Sequence, residues 1–124
     1  MMKEKTDILT GKKFLEQYSI IERKIRSVKI QIDSHDSTLD KYVFVSEIAL
    51  LTDKLKDLVA ESMKIKKEIL EKIQMVDNVE RHQILVKKYI ELKSTTQIAR
   101  EMFMTYQGVR YHLNIGEKEI EKFI

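Results

Sequence analysis

Residues 95–114 read TTQIAREMFMTYQGVRYHLN, and the spacing inside that stretch decides the fold reading. Two short helices that cross steeply need a small residue where their backbones approach, and Ala99 stands at that place. They also need apolar side chains turned to a common core, and Ile98, Met102, Met104 and Val109 are spaced to supply them. Thr105 follows where an N-cap should open the second helix. The pattern predicts a helix-turn-helix. Two residues depart from it: Phe103 occupies the turn position that often carries glycine, where a positive φ is costly for a side chain. His112 stands where an apolar residue is usual, with Leu113 one step later.

Upstream, Asp77-Asn78 interrupts the apolar pattern, and Asn78 is placed to cap a helix carrying Ile84, Leu85, Tyr89 and Ile90 and leading to Leu92. Further upstream lie two long periodic runs. Phe14, Tyr18, Ile21, Ile25, Val28 and Ile32 form one helical seam, which predicts a helix from about Lys12 to Ile32. Asp33-Ser34-His35-Asp36-Ser37-Thr38 then favours a turn, because these side chains bond their own backbone. Ile48, Leu51, Leu55, Leu58, Ser62, Ile65, Ile69 and Val76 make a second seam from about Val43 to Val76, with Ile73 filling the place of Lys72. At 1.5 Å per residue the second helix is roughly 50 Å long and the first roughly 30 Å. An antiparallel hairpin therefore leaves part of the second seam to be covered by the C-terminal domain or by a second copy of the chain. The expected architecture is all-α: a flexible N-terminus (1–11), a helical hairpin or coiled-coil arm (12–76) and a compact helix-turn-helix domain (77–124).

Composition agrees. The chain has 124 residues, no proline, three glycines and 35% charged residues, a shortage of turn punctuation that favours long helices over short strands. The absence of cysteine removes disulfides, thiolate metal sites and a thiol nucleophile, and fits a reducing compartment. His35, His82 and His112 have no partner ligand at helical spacing, and no phosphate loop, nucleophile elbow or paired acid and base is visible. We therefore expect no enzyme activity, no metal and no cofactor. The N-terminus lacks the apolar stretch of a secretion signal, and nowhere do 18 apolar residues run together, so a cytoplasmic protein without membrane contact is expected.

The net charge of +3 is small, but it is unevenly placed. Between Arg81 and His112 stand six cations (Arg81, Lys87, Lys88, Lys93, Arg100, Arg110) and only two acids (Glu91, Glu101). With Thr105 as cap, the second helix of the motif turns Tyr106, Gln107, Arg110, Tyr111 and Asn114 away from the core. Gln and Asn pair with adenine edges, Arg with guanine edges, and Tyr can meet phosphate or a thymine methyl. These five are the candidate base-reading residues for double-stranded DNA. Lys87, Lys88, Lys93, Arg100 and Thr105 are the candidates for contact with the DNA backbone.

The segment from Gln83 to Lys122, reading QILVKKYIELKSTTQIAREMFMTYQGVRYHL and onward, resembles region 4 of bacterial sigma factors, with its "IA" helix and Ser/Thr-capped recognition helix. The layout of the whole chain is similar to small phage and prophage regulators of low-GC Gram-positive bacteria, including the ArpU-like group. That resemblance implies a transcriptional role through promoter DNA, with RNA polymerase as a further partner. Residues 35–47 match nothing in it. Three readings stay open: a DNA-binding transcription regulator that can form a homo-oligomer through its arm; an interaction module for RNA polymerase or another regulator with little DNA affinity; and an oligomeric phage DNA-packaging adaptor.

Overall fold

The computed structural model describes residues 10–36 and 41–124, without the side chains of residues 35, 36 and 41–45. Among the described residues it is all-helical: α1 (Gly11–Asp36), α2 (Lys41–Ile73), α3 (Val79–Tyr89), α4 (Thr95–Glu101) and α5 (Tyr106–Phe123). The flexible end expected over residues 1–9 and the turn residues Ser37 and Thr38 lie outside the described residues. Gly11, expected in that flexible end, instead opens α1 and is buried. Asp33, Ser34, His35 and Asp36, expected in a turn, are the last residues of α1. A helix already nucleated extends at little cost, so short polar side chains that favour turns do not stop it unless the backbone is pulled elsewhere.

Packing of α1 along α2 follows the periodicity. Phe14, Ile21, Ile25 and Val28 are buried on the first seam, with Tyr18 and Ile32 half-buried. On α2, Ile69 and Ile73 are fully buried, while Ile48, Leu51, Leu55, Leu58 and Ile65 are half-buried. Ser62 interrupts the apolar run of α2. It is the one polar residue buried on that seam, and its hydroxyl donates to Glu22 Oε1 of α1 at 2.7 Å, which satisfies the group and ties one helix to the other.

The C-terminal end of the long helix is covered by the C-terminal domain. Ile69, Ile73 and Val76 share one core with Phe14 and Leu15 of α1, Ile84, Leu85 and Tyr89 of α3, Ile98 and Ala99 of α4, and Val109, Leu113 and Ile120 of α5. Each fully buried aliphatic removed from water there contributes about 1.5–3 kcal/mol. Leu15 is off the hairpin seam and still fully buried, because the first turns of α1 lie against α5 and α3 as well as α2. Two close approaches make this possible. Gly116 of α5 meets Leu85, whose methyl carbons lie 3.0 Å from where a Cβ would stand. A Cβ on Gly11 would lie only 1.8 Å from the backbone oxygen of Glu117, so α1 rests its first residue directly on the backbone of α5. No helix among the described residues is long and apolar enough to cross a membrane.

Candidate nucleic-acid interface

Each of the three C-terminal helices opens on a side-chain cap. Asn78 Oδ1 accepts from the Arg81 N–H at 2.9 Å, Ser94 Oγ from Gln97 N–H at 3.1 Å, and Thr105 Oγ1 from Gly108 N–H at 2.9 Å. Two of these caps follow from the sequence reading. The third belongs to Ser94, one residue before the stretch that carries the motif, and the Ser-Thr-Thr run ahead of Ile98 was its signal.

Between α4 and α5 the chain makes a tight stop. Phe103 takes φ 55°, while the Met104 N–H donates to the Ala99 oxygen at 2.9 Å and the Phe103 N–H to the Arg100 oxygen at 3.4 Å. That bond pair is a Schellman ending, with the left-handed residue in the place glycine usually fills and Met104 folded back on the core. Phe103 is 98% exposed, so its ring offsets none of the strain. Replacing it with glycine should therefore raise stability by about 0.5–1 kcal/mol, the left-handed penalty of 1–2 kcal/mol less the extra chain entropy of glycine. A denaturant melt that shows Phe103→Gly less stable than the parent would mean that the ring is held by contacts the backbone geometry does not reveal. Leu92 has the same left-handed geometry, φ 56°, in the loop between α3 and α4.

Ile98 is fully buried and Ala99 is 8% exposed, which puts both at the crossing. Leu113 fills the apolar place next to His112, and the His112 ring is half-buried edge-on to Tyr111, with centroids 5.6 Å apart. On α5 the five residues expected to read bases are all exposed. Gln107, Tyr111 and Asn114 lie within about 60° of arc, and Arg110 sits about 40° round the helix from Asn114, toward α3.

Arg81 pairs with Glu119 at 2.6 Å, and the other five Lys and Arg residues between Arg81 and His112 separate into two groups. Glu101 Oε1 receives Lys87 Nζ at 2.7 Å and Lys93 Nζ at 2.8 Å, and Lys93 also reaches Glu91 at 2.8 Å. Hydrogen bonds from Lys87 and then Lys93 hold the Glu101 carboxyl down at about 2, so that carboxylate is charged throughout the physiological range. It fastens the end of α3, the loop and α4 together, and being exposed it can trade a carboxylate for a phosphate at little cost. Lys88, Arg100 and Arg110 make no ion pair among the described residues. Lys88 and Arg110 line one cleft of about 200 Å³ together with Tyr89. The Tyr89 hydroxyl donates to Glu117 Oε2 at 2.5 Å, and burial followed by that carboxylate pushes its pKa up, so it stays a donor. Thr105 is occupied as the cap of α5.

The chain matches no protein-family model, no curated protein and no solved structure.

Proposed function

We propose that this chain is a DNA-binding transcription regulator of the phage or prophage kind, with α5 as the helix that enters the major groove. The observation that carries this reading is α5 itself: a threonine-capped helix, seated by Ile98 and Ala99, on which Gln107, Arg110, Tyr111 and Asn114 are turned from the core and Tyr106 is exposed in the first turn. Side chains of these types can discriminate base edges, and the helix N-terminus favours a phosphate. Selection of bound sequences from a random DNA pool should enrich a defined motif. On that motif, Arg110→Ala should cost about 1–3 kcal/mol and relax preference at one base pair. Lys88→Ala should instead weaken selected and scrambled DNA alike and lower the salt slope by about one unit, because a phosphate contact releases counterions without reporting base identity. If Arg110→Ala weakens both DNAs equally, base reading moves round the helix to Gln107, Tyr111 and Asn114.

Phe103 favours a second reading, in which the domain docks on a protein partner such as RNA polymerase. A fully exposed aromatic held in a strained turn stabilises nothing within the chain, and strain of this sort often accompanies a contact surface. Retained polymerase binding with no enrichment from the DNA pool would favour it over the first.

A further inference from the structure

Resting on the DNA reading above, we infer that the first turn of α1 belongs to the DNA-contacting surface, with Lys12 joining Lys88 to hold a backbone phosphate beside α5. Lys12 is the second residue of the long arm, yet it lines the same cleft as Lys88, Arg110 and Asn114. It is exposed and makes no ion pair among the described residues, and neither do Lys88 and Arg110. Three unpaired cations drawn from α1, α3 and α5 thus converge on one opening.

Two carboxylates, Glu16 and Glu117, also line that cleft, so the cations exceed the acids by one. Glu117 is engaged by the Tyr89 hydroxyl, and nearby Glu121 accepts the N–H of Gly11 at 3.3 Å. Glu117 and Glu121 therefore serve the fold, drawing α3 and α1 onto α5, while Glu16 faces the same cleft and offsets one of its cations. With one cation in excess, the cleft carries a net positive charge that favours an entering anion. Asn114 lines the cleft and also sits on the exposed face of α5 with Gln107 and Tyr111, so an anion there lies alongside the residues that would meet bases. That placement suits a phosphate of the DNA strand whose groove α5 occupies.

The test compares Lys12→Ala, Lys12→Arg and Lys29→Ala, a cation at the far end of α1, on the selected DNA and on scrambled DNA across a salt series. Lys12→Ala should bind both DNAs about fivefold more weakly at about 0.15 M salt, with the slope of log K against log salt reduced by about 0.9. Lys12→Arg should keep the parental slope, and Lys29→Ala should bind like the parent. Since Lys12 is exposed, an unchanged melting curve is expected and separates the effect from misfolding. Parental affinity and slope for Lys12→Ala, or an equal loss in Lys29→Ala, overturns the inference while DNA binding itself stands. A parent chain that binds neither DNA removes the DNA reading and this inference together.

Discussion

Leu15→Ala should lower the unfolding free energy by about 3 kcal/mol, within the 2–5 kcal/mol typical of a buried leucine cut to alanine, and should do so in one transition. Leu15 is fully buried, it lies outside the hairpin seam, and its cluster joins residues of all five helices. Removing its isopropyl group opens a cavity where α1 meets the C-terminal helices, and the close packing of such a core allows only partial collapse. The arm and the helix-turn-helix domain should therefore melt together in parent and variant alike. Circular dichroism at helical wavelengths and, in a Tyr18→Phe, Tyr42→Phe background, fluorescence of the remaining Tyr89, Tyr106 and Tyr111 should give coincident curves. Ile30→Ala, at an exposed position on the same helix, should stay within about 0.5 kcal/mol of the parent. Two resolved transitions, or a Leu15→Ala melt like that of the parent, would show that the arm folds independently of the domain.

Gly11→Ala should destabilise the chain by about 1–3 kcal/mol, the cost of overpacking a site that cannot yield. Its sign is the informative part. A glycine replaced by alanine in an unstrained helical position usually gains about 0.4–1 kcal/mol through the unfolded state. Here the new methyl would stand 1.8 Å from the backbone oxygen of Glu117, and no rotamer change can move a backbone atom. The first turn of α1 must lift away from α5, breaking the Gly11 N–H bond to Glu121 and carrying Lys12 out of its cleft. Amide exchange should quicken in the first two turns of α1 and scarcely change beyond Ile25. A Gly11→Ala variant that is more stable than the parent would mean that this helix end does not rest on α5 in solution.

Much of the local architecture was legible because its signals are local. The caps at Asn78 and Thr105, the small residue at Ala99 and the seam of α1 all lie within a few residues of the backbone groups they satisfy or the face they define. Phe103 was legible in part: it occupies a turn position that often carries glycine, and the backbone takes the positive φ that would be costly there. What sequence spacing missed has a common cause. The burial of Leu15, the contact of Gly11 with α5 and the Tyr89–Glu117 bond each join residues far apart along the chain, and no periodicity within a single helix records them. The end of α1 was misplaced for a different reason, since turn-favouring side chains set a preference of tenths of a kcal/mol that helix continuation outweighs.

For the candidate interface the division is similar. Residue types and 3.6-residue spacing were enough to determine an all-helical chain, a capped second helix of the motif and the face of α5 turned outward, because a helix fixes the direction of each side chain from its position alone. Which basic residues are left unpaired was decided only by the tertiary structure. Lys87 and Lys88 are neighbours in sequence with the same charge, yet one is bound to Glu101 across the gap between two helices and the other opens into a cleft with Lys12 and Arg110. Charge is a property of the residue, but its availability depends on which carboxylates the fold brings within about 3 Å, and those lie on other helices.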